Sequence, residues 1–226
     1  MLDNSTNKAN KANKILHTLQ NNFSIPKWAD PQRSAFQTLI RTVLSQATAS
    51  RNATQAFENL SRKFPITPQT LAKADVKDIE DAIEVAGLYR NKSKVIKSIS
   101  QVALEQFNGA LDFIHTSPLE EARKILLTIP GVGPKTADVT LLFCAKKPTI
   151  PIDTHVNRVS KRLGLVPPKA DYEETRKSLQ FLYQPEDYLA VHLLLIALGR
   201  KYCKARKPLC KLCPVSELCP SKHIED

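Results

Sequence analysis

The sequence predicts an all-α fold of about ten helices, and three observations predict it. Apolar residues recur at helical spacing between prolines that act as punctuation, sustained strand-type alternation is absent, and aromatic residues make up only 6% of the chain with a single Trp. Phe36, Leu39, Ile40, Val43 and Leu44 follow the stop signal Asp30-Pro31, and Val95, Ile96, Ile99, Val102, Ala103 and Phe107 precede Asn108-Gly109. Both sets read as amphipathic helices. Thr67-Pro68 and Ser117-Pro118 each place a capping hydroxyl before a proline at the first helical position, and Ser117 with Glu120 fits a capping box. The Asn-Lys-Ala echo within residues 7–14 reads as a frayed basic tail or a first helical turn.

Composition limits what such a fold is for. The 226 residues are 42% hydrophobic and 24% charged, an ordinary globular balance with room for one large domain or two small ones. The longest apolar run, residues 193–198, is too short to cross a bilayer, and residues 1–14 lack the apolar core of a signal peptide. The expectation is a protein kept inside the cell, with no membrane partner: in the cytoplasm of a prokaryote, or the nucleus or mitochondrion of a eukaryote. Against 22 Asp+Glu stand 33 Lys+Arg, a net charge of +11, which points to a polyanion such as nucleic acid or else to a merely solvated basic surface.

The cysteines carry the most specific signal. Four of the five fall in the pattern Cys203-x6-Cys210-x2-Cys213-x5-Cys219, while Cys144 lies alone in an apolar stretch and reads as a small buried hydrophobe. Thiols crowded in this way in a protein without an export signal argue for a metal site over disulfides. Zinc and a cubane iron–sulfur cluster both remain open from spacing. One short knuckle flanked by two longer arms suits the cluster better than the paired knuckles of a zinc site. Around these ligands Arg200, Lys201, Lys204, Arg206, Lys207 and Lys211 place six cations in twelve residues with no acid among them. They are either a ridge for phosphates or a solvated face that offsets thiolate charge.

The second signal is Leu126-Leu127-Thr128-Ile129-Pro130-Gly131-Val132-Gly133-Pro134-Lys135-Thr136-Ala137. A helix running from Ser117 is halted by Pro130, Gly131 and Gly133 permit positive φ in a tight hairpin, and Pro134 is pre-set to open a new helix. Bare glycine amides beside a helix N-terminus make an anion-binding concavity that holds a DNA phosphate without reading a base.

Taken together, these strings resemble the helix–hairpin–helix DNA glycosylases of the endonuclease III type. The resemblance spans roughly residues 36–219. It rests on Leu44-Ser45-Gln46-Ala47-Thr48, Gly87-Leu88-Tyr89, the hairpin ending in Lys135, Pro151-Ile152-Asp153-Thr154-His155 with Arg158, and the four-cysteine spacing. It implies a [4Fe-4S] cluster on Cys203, Cys210, Cys213 and Cys219. It also implies two helical domains flanking a DNA-binding cleft: a barrel over residues 28–147 carrying the hairpin, and a cluster domain built from residues 1–27 and 148–226. The implied activity is bifunctional, removal of oxidised pyrimidines from duplex DNA followed by cutting 3′ to the abasic site. A thymine or uracil mismatch glycosylase and a non-catalytic DNA-binding protein are the alternatives, and a monomer is the simplest fit to tracking along duplex DNA.

Within that resemblance Lys135 is the nucleophile. At a helix start, and in a cleft that bound DNA would dry, its ammonium form is disfavoured and neutral amine becomes available. Asp153 is the second catalytic group, a carboxylate to stabilise charge on the sugar and move protons, and it is equally a good N-cap for a helix running to Leu163. Gln46 and Leu88 are the candidates for filling the hole left by a flipped base, the one hydrogen-bonding to the orphaned partner and the other wedging between base steps. His155 matches the motif as a pocket-lining residue, and Arg200, Lys204, Arg206 and Lys207 join Gly131 and Gly133 as DNA contacts. Three positions matter for the finer assignment. Pro134 stands where many relatives carry a basic side chain, and Ala49 where an acid is common. Thr42 stands where relatives that excise adenine carry a glutamate.

Overall fold

A computed structural model describes residues 2–25 and 34–223. The predicted stop at Asp30-Pro31 and the expected domain start at residue 28 lie outside the described residues. Among the described residues all regular structure is helical. Twelve α-helices follow one another: α1 (Leu2–Asn22), α2 (Ala35–Ser45), α3 (Ser50–Lys63), α4 (Pro68–Lys73), α5 (Val76–Ile83), α6 (Tyr89–Phe107), α7 (Phe113–Thr116), α8 (Leu119–Thr128), α9 (Pro134–Phe143), α10 (Thr154–Arg162), α11 (Tyr172–Leu182) and α12 (Tyr188–Lys201). The count exceeds ten because single-turn pieces such as α7 leave too short a trace for a 3.6-residue period to register.

The chain divides into two compact units, Pro31–Lys147 and Met1–Asp30 with Pro148–Asp226. In the first, α2 to α9 surround one apolar core. Leu39, Ile40, Leu44, Leu60, Ile83, Ile96 and Ile99 are fully buried there, each contributing about 1.5–3 kcal/mol by leaving water. Local signals set the boundaries. Ser34 and Gln37 form a reciprocal capping box at α2, and Thr67 caps α4 with Pro68 at the first position. Asn108 ends α6 in the left-handed region at φ 54°.

Ser117 does not cap α8, in contrast to the sequence expectation. The N-cap is Pro118, extended at ψ 155°, so the helix opens one residue later and the Ser117 hydroxyl stands too far back to reach its free amides.

In the second unit α1, α10, α11 and α12 pack around Ile15, Leu19, Val156, Val159, Leu179 and Leu194. The apolar run at residues 193–198 is the middle of α12, a helix buried on most of its faces, and among the described residues no helix is long and apolar enough to cross a membrane. The Asn-Lys-Ala echo is neither a frayed tail nor a first turn. It lies inside the 21-residue α1, where Ala12, Ile15, Leu16 and Leu19 form a buried stripe and lysines occupy the other faces.

Candidate functional site

The hairpin is built in the first unit between α8 and α9. Ile129 and Val132 are buried and close the turn with a Val132 N–H to Ile129 carbonyl bond of 3.0 Å. Gly131 adopts φ +80°, and a Cβ there would run into the Val95 side chain, so glycine is required twice over. Gly133 does not take positive φ as expected. It is the extended N-cap of α9 at φ −88°, exposed at the helix start, with open space where a Cβ would stand. Pro134 follows at the first helical position and Lys135, half-buried, at the second. The first turn of α9 is pinned from beneath: Asp138 is fully buried and accepts from Arg123 of α8 at 2.9 and 3.4 Å.

Two further loops of this unit carry predicted residues. Gln46, exposed, is the C-cap of α2, and its amide donates a long 3.5 Å bond to the Gly131 carbonyl. Leu88 is 62% exposed, the most exposed large hydrophobic residue of this unit. It caps α6 in the left-handed region at φ 49°, directly after Gly87 at φ 63°. Ala49 caps α3 without any side-chain bond, so nothing there replaces the acid common in relatives. Cys144, at the end of α9, is half-buried and not fully buried as expected; its thiol lies 3.0 Å from the Thr38 hydroxyl.

In the second unit Asp153 is the N-cap of α10. Its carboxylate accepts from the Val156 amide at 2.8 Å. The segment leading to it is fixed by a 2.8 Å bond between His192 Nδ1 and the Pro151 carbonyl, and by the Ile152 amide donating to Tyr172 at 3.3 Å. Asp153 is therefore presented on a rigid helix end. His155 packs against Gly199, where a Cβ would stand 3.0 Å from the His155 ring. Burial holds the proton affinity of this imidazole below its ordinary value, partly opposed by the Asp153 carboxylate.

Cys203, Cys210, Cys213 and Cys219 line a single cavity together with Leu198 and Arg162, and none is in a disulfide. Burial pushes the Cys213 and Cys219 thiols up, the reverse of what cationic iron would do to them. Among the described residues no three His, Cys, Asp or Glu are placed to hold a single metal ion. Four thiols around one cavity are the donor set that an iron–sulfur cluster takes.

Two arginines of α10, which sequence reasoning left without a role, organise this loop. Arg158 donates twice to the Cys203 carbonyl at 3.0 Å and once to Gly199 at 3.1 Å. Arg162 donates to the carbonyls of Lys204 at 2.6 Å and Ala205 at 3.1 Å, with its guanidinium 3.6 Å from the Cys203 sulfur. Their i, i+4 spacing on a short, strongly basic helix is the trace they leave in sequence. Arg200, Lys204, Arg206 and Lys207 are exposed around the loop, whereas Lys201 lies over the rings of Tyr202 and Phe23 at 5.1 and 5.7 Å.

Helices joined by an exposed glycine hairpin, a lysine at the following helix start, an aspartate held on a second helix end and a four-thiol loop define a class: a helix–hairpin–helix DNA repair protein with an iron–sulfur centre. Residues 40–185 match the HhH-GPD superfamily base excision DNA repair protein, and residues 203–219, bounded by Cys203 and Cys219, match the iron-sulfur binding domain of endonuclease III. Endonuclease III of Sulfolobus acidocaldarius is 39% identical over 188 residues, 83% of this chain and 82% of that one. Its counterpart in Thermotoga maritima is 39% identical over 184 residues, 81% and 82% of the two chains. A solved structure of a trapped endonuclease III–DNA covalent intermediate superposes with a TM-score of 0.84 at 30% identity, covering 95% of this chain and 96% of that one. The chain belongs to the HhH-GPD superfamily of base excision DNA repair proteins, in its endonuclease III family. It is a DNA glycosylase and abasic-site lyase, and it carries a [4Fe-4S] cluster.

Proposed function

We propose that the chain removes oxidised pyrimidines from duplex DNA and cuts the strand 3′ to the resulting abasic site, with Lys135 as nucleophile and Asp153 as its carboxylate partner. The observation that carries this reading is the position of Lys135, second in α9, directly after the glycine hairpin and locked from beneath by the Arg123–Asp138 pair. The neutral amine attacks the anomeric carbon, the C–N glycosidic bond breaks, and the base leaves with a proton. The sugar stays on Lys135 as a Schiff base. Loss of a proton from the adjacent carbon then breaks the bond to the 3′ phosphate, leaving that phosphate on the downstream strand. Asp153 stabilises the positive charge on the sugar and relays protons to and from the lysine; its fixed cap geometry keeps the carboxylate in one orientation.

Cys203, Cys210, Cys213 and Cys219 are the ligands assigned to the cluster, whose contribution is to fold the loop that bears Lys204, Arg206 and Lys207. Gly131 and Gly133 present amides to a phosphate, and the exposed cations with Arg200 add the electrostatic term. About five phosphate contacts give a log–log salt slope near −4.5. A monomer suffices for this reading. The covalent endonuclease III–DNA intermediate among the similar structures supports a covalent step, and Thr42 in place of a glutamate speaks against adenine excision.

Base release from duplexes carrying one thymine glycol, one T:G mismatch or one uracil tests the substrate class. Thymine glycol should be released fastest by at least about tenfold, a difference of ~1.4 kcal/mol in barrier. Faster release of mismatched thymine would move the substrate to the mismatch reading.

A further inference from the structure

The least expected side chain in the first unit is Lys92. It lies on α6 at 4% exposure, although its neighbours Arg90, Asn91 and Lys94 are exposed, and burial pushes its ammonium below the ordinary lysine range. Its three acceptors are all neutral. The ammonium donates to the Leu44 carbonyl and the Ala86 carbonyl at 3.0 Å each, and to the Thr48 hydroxyl. An ammonium has three N–H donors, and all three are used. A methionine would fill the same space without the desolvation cost, so a charge here needs a reason beyond packing.

The reason lies in what the acceptors belong to. Leu44 and Thr48 flank the loop of Gln46, and Ala86 ends the short turn that leads through Gly87 to Leu88. Each loop holds a non-glycine residue in the left-handed region: Ala47 at φ 49°, next to Gln46, and Leu88 itself at φ 49°. Such conformations persist only where the surroundings over-determine them. The Thr48 hydroxyl also lies within hydrogen-bond reach of the Gln46 carbonyl, at 2.9 Å, and of the Ala86 carbonyl, so it ties the same two loops a second time.

We infer that Lys92 is a positioning residue, a buried cationic rivet that locks the strained loops of Gln46 and Leu88 into one rigid pincer for the space a flipped base vacates. This rests on the proposed hole-filling roles of Gln46 and Leu88, and adds the device that holds them at a fixed separation. Rigid presentation matters because a wedge and a hydrogen-bonding amide must enter the duplex together, and a loosened pair loses rate even though both side chains remain.

The test is Lys92→Met, measured by single-turnover excision of thymine glycol and by fluorescence of 2-aminopurine placed opposite an abasic site. Hydrogen exchange of the free protein is measured alongside. The expected result is a roughly 10- to 100-fold loss in the single-turnover rate with DNA affinity changed less than about threefold, and a weaker 2-aminopurine signal because the orphaned base is less fully separated from its neighbours. Faster exchange should be confined to the amides of Ala47, Thr48, Gly87 and Leu88. In the Leu88→Ala background the substitution should cost much less than in the parent, since both changes disable one device. If Lys92→Met fails to fold, Thr48→Val removes one acceptor and keeps the volume; the same signatures should appear at smaller size.

Wild-type excision and fluorescence in a folded Lys92→Met protein would overturn the inference, as would exchange that rises over the whole first unit with additive losses in the double variant. Full activity in Leu88→Ala and Gln46→Ala would instead sink the hole-filling reading. Loop exchange in Lys92→Met then reports whether the rivet exists without it.

Discussion

The two regions assigned to chemistry are held by opposite means. The first turn of α9, with Lys135, stands on a dense apolar core and a buried ion pair; Ile129, Val132, Ala137 and Leu141 are all buried around it. The loop from Cys203 to Cys219 has only two three-residue 3-10 turns and a single buried hydrophobic residue, Val215. Its backbone hangs from Arg158 and Arg162, and four thiols line its interior. The proposed nucleophile is thus preorganised by ordinary packing, whereas the exposed cations proposed to meet DNA sit on a loop framed by two arginines and four thiols. The contrast teaches that damage to the cluster should cost loop order and DNA affinity, while damage beneath α9 should cost the chemistry.

The largest expected effect is at Lys135. Replacing it with Gln should lower abasic-strand cutting by at least about 10³-fold, with DNA affinity and melting temperature near the parent values, as gel cleavage and a titration will show. Next, Cys210→Ser should lose iron and soluble yield. In whatever remains soluble, residues 203–219 should become the first site of proteolysis while the α2 to α9 core stays resistant. Iron loss with an intact, DNA-binding loop would break the comparison from the metal side.

Asp138→Ala should remove the buried carboxylate to which Arg123 donates and destabilise the protein by about 3–5 kcal/mol, lowering the melting temperature by roughly 6–20 °C, while iron content is unchanged. An unchanged melting temperature would break it from the packing side. The smallest effect is at His155. Burial lowers its proton affinity in the folded state, so the unfolded chain takes up a proton first and stability falls as pH drops below about 6.5. Urea midpoints at pH 7.5 and 5.5 should differ less in His155→Asn than in the parent.

Much of this was legible in the sequence, and the parts that were not share a cause. The hairpin, the Asp153 cap and the cysteine loop are local, each written in a contiguous string whose residue types have few other uses. Ser117 and Gly133 misled because a motif's composition does not fix which residue takes the cap: Pro118 took the one and an extended glycine the other. Lys92, Asp138 and Arg162 were missed because their partners are non-local. Lys92 donates to acceptors as many as 48 residues away in the chain, and Arg162 to carbonyls 42 and 43 residues on. A faint trace existed for Lys92, which shares a face of α6 with Ile96, Ile99 and Ala103. A lysine on an apolar stripe is as often a snorkelling surface residue, and only the fold distinguishes the two.

Borohydride trapping tests the central claim most directly. The protein is mixed with a duplex carrying one thymine glycol, and in parallel with one carrying an abasic site, beside Lys135→Gln. Reduction should freeze the imine as a stable amine, giving a covalent protein–DNA adduct on both duplexes that maps to Lys135 and is absent from the variant. An adduct that persists at full yield in Lys135→Gln, or no adduct on either duplex while DNA binding is intact, would contradict the Schiff-base account.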